Sequence, residues 1–577
     1  MKLLTPRLVL VAVALLQSVS ASSQTWDSFT EKLLLKPLQD GKLLSNFQFT
    51  TKLGLDSLEN NQIYHYNLFP RSIGQIIQRF DVSEVHLTFT QGEWDTENWG
   101  YPVASSSGTG VELWGWFRNS SNVEENWKGL TNSLAGLYCA SLNFIDDTIT
   151  VEPKLSFRPE GFGGEVRNDQ TLRYGILPHE NVCTENLTPW IKLLPCQMKS
   201  GLSSLLNAHK IYDTDFHSMR MQVKPVCEND LCNKGYLELV QTITVVSNPT
   251  RTTGRRDWSL QSLFGRSLVS SCAVASESEI RVILPEEETF NIQPTPSRKS
   301  REQITKSLGR DLAIYDLKRD FASGLDVSMT WNEPHFQYPL DAPKPRLYAH
   351  RYFTGYGQEK GGIAVTITNN EIEPITVTYF DSLPWYLKLY LHTLKVSVNG
   401  QDRRDDPAII KQMYYQPAID RSRPTVLEMN ITLLPLTVTT LSMDFDRVFL
   451  KYTEHPPDAN RGFNIGPAIL SAEIEYGKDF LAPEGTEYLS SGIDWSKERF
   501  QVRLYTETLL VSLPTPDFSM PYNVITLTCT VIALFFGSMF NRVTRKFNVL
   551  NVAEPKGASK PEEQQKAGVA VEQAASE

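Results

Sequence analysis

The run "NVITLTCTVIALFFGSMF", residues 523–540, contains no charged side chain and is followed at once by Arg542, Arg545 and Lys546. At ~1.5 Å of helical rise per residue such a run is just long enough to cross a hydrocarbon layer of ~30 Å, so it reads as a transmembrane helix over residues 523–540. Lys and Arg beside a spanning helix stay on the cytoplasmic side. This single feature constrains the whole chain: the residues before it are expected in the lumen of the secretory pathway, and residues 541–577 in the cytosol. The N-terminus agrees, because Lys2 and Arg7 flank an apolar run, Leu8–Leu16, that ends in the small residues Val19, Ser20 and Ala21. That is the form of a signal peptide over residues 1–21. A single-pass type I membrane protein is expected. The tail "EPKGASKPEEQQKAGVAVEQAASE" has no aromatic residue and too little apolar surface to fold alone, so it reads as disordered.

A lumenal chain meets an oxidising, glycosylating environment, which makes its cysteines and sequons informative. Seven cysteines are too few for a disulfide scaffold in a chain of this length. Cys529 lies in the span, whereas Cys139, Cys183, Cys196, Cys227, Cys232 and Cys272 are lumenal. Cys227 and Cys232 are close enough for a local disulfide, and no nearby His or second Cys pair completes a zinc site around them. Asn119, Asn186 and Asn430 head glycosylation sequons. In "NVCTENLTPWIKLLPC", Cys183 could pair with Cys196 or be kept for another chain, and spacing alone leaves both open. The net charge of −10 offers no basic footprint for nucleic acid.

Strand patterns dominate the lumenal part. "SEVHLTFTQ" and "LELVQTITV" alternate apolar with polar residues, as half-buried strands do. Beyond residue 345, "GIAVTITNN", "PITVTYF", "LYLHTLKVSVNG", "LEMNITLLPL", "TLSMDFDRVFLKY" and "RFQVRLYTE" follow one another with turn residues between, the habit of an antiparallel sandwich. "EENWKGLTNSLAGLYCASL" places Trp127, Leu130, Leu134 and Leu137 at helical spacing, with Cys139 near the helix end as a buried thiol. "GLSSLLNAHKIY" reads as a further short helix. Residues 286–310, polar and charged with two prolines, read as an exposed loop, and the proline-rich 332–347 as a connection. The fold expected is mainly β with some α. A β-rich N-terminal domain with helices would cover 22–335, and a C-terminal β-sandwich 345–515.

Chemistry-bearing motifs are sparse. There is no HExxH, P-loop or GxSxG. "GYGQEKGG" runs into a strand instead of opening a helix, so it reads as a turn. His179 and Cys183 do not make a convincing dyad, since nothing nearby supplies an oxyanion hole. These residues by themselves describe a scaffold, or a lumenal or cell-surface receptor for glycan or peptide, with no cofactor.

Several long strings nevertheless resemble the PIG-T subunit family of GPI transamidase: "LYCASLNFID", "VCTENLTPWIKLLPC", "DWSLQSLFGRSL", "RYFTGYGQEKG", "LPWYLKLYLHTL" and "RLYTETLLVSLPTPDFSMPYNVITLTCTV". The resemblance implies a complex of the endoplasmic reticulum membrane that removes a C-terminal signal from a precursor and transfers the new carboxyl terminus to the amine of a GPI lipid. It implies a non-catalytic role for this chain, holding and stabilising a legumain-like cysteine-protease subunit. It also implies that Cys183 makes the disulfide to that subunit. With Cys183 so committed, Cys227 with Cys232 and Cys196 with Cys272 are the expected internal bridges, leaving Cys139 free. In the span, Asn523, Thr526, Thr530, Ala533 and Gly537 form a stripe of small or polar residues, expected to pack against multi-span partner subunits. Asn523, at the lumenal end, is expected to face the GPI lipid.

Overall fold

The computed structural model describes residues 27–547 apart from 56–62, 64, 104–105, 119–121, 162–169, 228–234, 286–288, 304–308, 320–323, 334, 340–343, 356, 358, 405, 457, 476–498 and 516–518. The expected signal segment, 1–21, lies outside these residues, as does the tail beyond Phe547.

The β-branched and aromatic alternation of the N-terminal half builds one ten-stranded sheet. In spatial order its strands are Arg298–Gln303, Gly309–Asp316, Glu277–Leu284, Ser28–Pro37, Leu43–Leu55, Gly235–Ser247, Phe216–Cys227, Val82–Gln91, Gly110–Arg118 and Gln170–Leu177. Neighbours are antiparallel except Ser28–Pro37 against Glu277–Leu284, which run parallel. One face carries Leu33, Phe47, Phe49, Leu87, Phe89, Leu113, Met221 and Ile243 into the main core. The helix Val123–Tyr138 covers that face with Trp127, Leu130 and Leu134, and the helix Thr184–Lys192 with Leu187 and Trp190. "GLSSLLNAHKIY" splits into a 3-10 turn, Leu202–Leu205, and a one-turn helix, Ala208–Ile211, because the Asn207 side chain accepts from His209 N–H and restarts the helix.

The other face corrects the expectation of half-buried strands. Glu84, His86, Thr88 and Thr90 of Val82–Gln91 are buried, as are Glu238, Thr242 and Thr244 of Gly235–Ser247. A second layer covers this face, so its polar side chains pair with one another. His86 stacks on Trp114 at 3.5 Å between centroids, contacts Glu84 at 2.6 Å and receives an Arg220 N–H at 2.8 Å. Gln222 donates to Glu160 at 2.6 Å, and Glu160 is held far below the ordinary carboxylate range: burial opposes this, but His86, Arg220, Lys224 and Arg503 outweigh it. Arg503 belongs to the C-terminal half, so the buried charge network links the two halves of the chain.

Residues 286–310 are not simply an exposed loop. Phe290–Gln293 pairs with Ser328–Trp331, and Arg298–Gln303 forms a hairpin with Gly309–Asp316 at the edge of the large sheet. Arg298, Lys299 and Arg301 are exposed, which suits an edge strand whose charges discourage pairing with another chain. Phe290 and Ile292 pack on the main core, whereas the described side chains of Arg298–Gln303 include no buried one and show no alternation to read.

The C-terminal half is a sandwich. Leu347–Thr354, Lys360–Asn369, Thr437–Arg447, Leu387–Val398 and Gln401–Asp402 form one sheet. Ile410–Gln416, Thr425–Leu433, Ile375–Leu383, Ile469–Glu475 and Arg499–Tyr505 form the other. Ile363, Val365 and Leu441 meet Val377, Tyr379, Met429 and Leu470 between them. Phe380, Val426 and Ile469, on the outer side of the second sheet, pack on Trp114 and Tyr174 of the large sheet. The chain as far as Thr515 thereby forms one compact unit.

The apolar run lies in a separate unit, within the helix Ser519–Thr544, longer at both ends than the expected 523–540. Its stretch Tyr522–Thr544 is long and apolar enough to cross a membrane.

Candidate partner-linkage site

Cys183 occupies the N-cap of the helix Thr184–Lys192 in an extended conformation, φ −142° and ψ −178°, and its thiol is exposed and unpaired. Asn186, three residues on, fixes it. The Asn186 Oδ1 accepts the Cys183 N–H at 2.9 Å, while Nδ2 donates to the carbonyls of Tyr138 at 2.9 Å and Cys139 at 3.2 Å. One buried amide thus ties the start of this helix to the open end of Val123–Tyr138, satisfying groups that helix termini leave without partners. Tyr212 donates its hydroxyl to the Cys183 carbonyl at 2.6 Å. Burial, and then the neighbouring Cys183, push the Tyr212 phenol up, so it stays protonated and a donor. Trp190 Nε1 donates to the Arg220 carbonyl at 3.2 Å, and Gln241 Nε2 to the Trp190 carbonyl at 3.0 Å, which seats the helix on the large sheet. The result is a rigid pedestal presenting one thiol.

Cys196 is not available to Cys183. It is bonded to Cys272 with Cα atoms 6.0 Å apart. Cys227 is also oxidised, and Cys232, its expected partner, lies outside the described residues. Cys139 is unpaired, but the expectation of a buried thiol is corrected: the helix ends at Tyr138 and Cys139 takes a left-handed conformation, φ 53°, that turns its side chain to solvent. His179 is approached by the Asn464 amide at 3.0 Å.

Asn186, expected as a glycan acceptor, is the side chain that makes this clamp. Its side chain is 1% exposed and both ends of the amide are engaged, so a sugar there would break the clamp. Sequon matching could not detect this, although the Cys183-x-x-Asn186 spacing of a helix N-terminus is itself a capping signal. Asn119 lies outside the described residues. Asn430 is half-buried on the strand Thr425–Leu433. Asn523, Thr526, Thr530, Ala533 and Gly537 are all open on the apolar helix, except that Gly537 is partly covered. The Thr526 and Thr530 hydroxyls donate back to the carbonyls of Tyr522 and Thr526, at 2.9 and 2.7 Å. Their oxygens, rather than their protons, remain for a neighbouring helix.

Glu31 sits behind the Cys196–Cys272 bridge, a feature the sequence did not single out. Its carboxylate accepts from Ser278 Oγ at 2.6 Å and from Leu202 N–H at 3.2 Å. Gly201, at φ +76°, has no room for a Cβ between this carboxylate and Cys272. Burial pushes Glu31 up to about 7 despite those hydrogen bonds. A raised carboxyl favours the protonated folded state, so its contribution is full below the ordinary range of ~4.3 and is lost as pH rises through about 7. Glu31→Gln is therefore expected to remove one descending component of stability between pH ~4.5 and 7.5, on the order of 3 kcal/mol. Melting curves of the two proteins against pH check this; parallel profiles would contradict it.

The sequence profile described as the Gpi16 subunit, a GPI transamidase component, matches residues 9–257 and 247–572. The chain is 41% identical to the GPI-anchor transamidase component PIGT of Mus musculus, over 92% of this chain and 91% of that one. It is likewise 41% identical to the Homo sapiens protein of the same name, over 91% of each chain. Identity to the GPI transamidase component GPI16 of Saccharomyces cerevisiae is 31%, over 93% of this chain and 91% of that one.

Proposed function

The chain belongs to the Gpi16 family of GPI transamidase components, and from that premise we propose that it is the structural, non-catalytic subunit that holds the cysteine-protease subunit of the complex in the endoplasmic reticulum membrane. The bulk of the chain is lumenal and its tail cytosolic. Other multi-span subunits pack on its membrane helix, and the GPI lipid meets the lumenal end of that helix at Asn523.

The observation that carries this reading is the state of Cys183. Its thiol is exposed and unpaired on a rigid helix N-cap, while Cys196, the nearest competitor in sequence, is already bonded to Cys272. A disulfide formed there raises the effective concentration of the partner so far that a modest surrounding interface suffices for permanent assembly. Asn186 and Tyr212 fix the thiol's backbone, so little freedom is lost on linkage.

Cys183→Ser is expected to abolish the covalent species on non-reducing electrophoresis and to leave part of the non-covalent complex, since the lumenal contacts remain. Cys139→Ser, the control at the other exposed thiol among the described residues before the membrane helix, is expected to leave the linked species intact. Unchanged mobility of the protease subunit in the Cys183→Ser background would overturn the reading.

A further inference from the structure

Among the described residues, the outer side of the second sandwich sheet is covered at one end only. Phe380, Val426 and Ile469 lie under the N-terminal half, and beyond them the same strands present an open groove of about 670 Å³. Thr376, Thr378, Ser471 and Gln501 line it with hydroxyls and an amide, Phe157 and Arg158 form a wall, and Asn430 stands within it. A cavity of ~300–1,000 Å³ holds a ligand of a few rings, and this polar lining suits one rich in hydroxyls.

Asn430-Ile431-Thr432 is also a sequon. The Asn430 Oδ1 accepts from Thr378 Oγ1 at 2.9 Å, and Nδ2 donates to Gln412 Oε1 at 3.2 Å. An amide nitrogen carries two protons, so one remains for substitution while both of these hydrogen bonds persist. This is the opposite of Asn186, where the nitrogen donates to two buried carbonyls.

We propose that Asn430 carries an N-linked glycan whose first two N-acetylglucosamine units lie in this groove. Attachment forms the bond from Nδ2 to sugar C1, breaks the C1–O bond to the lipid diphosphate of an oligosaccharide donor, and releases one amide proton. The acetamido and hydroxyl groups of the core sugars are placed to bond with Thr376, Ser471 and Gln501. The glycan then shields sheet edges that no other part of the described chain covers. The proposal rests on the lumenal placement above.

Mass mapping of the Asn430 peptide from the full chain, together with digestion by an endoglycosidase that cuts between the two core sugars, tests it. A glycosylated Asn430, cut at least tenfold more slowly in the native than in the denatured protein, is the result expected. Unmodified Asn430, or equal cutting rates, would overturn the proposal. Recovery of the Cys183-linked species from the same sample keeps the linkage reading distinguishable from this one.

Discussion

Replacing Arg351 with alanine is expected to lower the stability of the lumenal part by about 3–5 kcal/mol, a large share of the ~5–15 kcal/mol typical of a folded protein. Arg351 and Asp381 come from opposite sheets of the sandwich and meet at 2.9 Å with side chains 0% and 2% exposed. The guanidinium also donates to the Gly466 carbonyl, and Tyr379 donates to Asp381 at 2.9 Å. Burial raises Asp381 in spite of Arg351, so the carboxylate relies on this partner to remain charged. Removing the cation strands Asp381 in the interior. The double variant Arg351→Met with Asp381→Leu replaces both charges by apolar volume and is expected to recover most of the loss. Denaturant titration of the parent protein and the two variants measures this, and an Arg351→Ala substitution costing under about 1 kcal/mol would contradict it.

A second large effect is expected in the membrane. Leu in place of both Ala533 and Gly537 keeps the helix apolar but fills the stripe that Asn523, Thr526 and Thr530 continue. Beyond the helix's own backbone, no atom of the described residues lies within 4 Å of a Cβ built at Gly537, so Leu there meets no obstacle among them. Any effect must come from other helices, whose close approach depends on small residues at the seam. Recovery of the multi-span subunits with the tagged chain is expected to fall on the order of tenfold, the equivalent of ~1.4 kcal/mol of packing. Unchanged recovery would leave this helix as an anchor alone.

The apolar faces were the legible part of this fold. The strands Lys360–Asn369, Ile375–Leu383 and Thr425–Leu433 bury the residues their alternation marks, and Val123–Tyr138 buries Trp127, Leu130 and Leu134 as helical spacing requires. What alternation cannot report is the fate of the polar positions. Glu84 and His86 read the same whether they face water or a second protein layer, and the groups that cover Glu84, the N–H groups of Glu160 and Gly161, come from far along the chain. The edge strand Arg298–Gln303 was illegible for the complementary reason, that none of its described side chains is buried. Short-range chemistry misled at Cys139, where one left-handed residue turns a helical position outward. At Asn186 a sequon and a helix cap fall on the same side chain, and the sequence pattern names only the first. Cys183 could be seen as a candidate in the sequence, but its proposed role came from the resemblance, because a thiol carries no mark of the chain it will join.

The most direct test of the central claim is non-reducing isolation of the native complex, followed by mass mapping of the peptide that contains Cys183. The predicted result is a disulfide joining Cys183 to a peptide of the cysteine-protease subunit, with Cys196 and Cys272 bridged within the chain. Recovery of Cys183 as a free thiol, or joined to another cysteine of its own chain, would contradict the account.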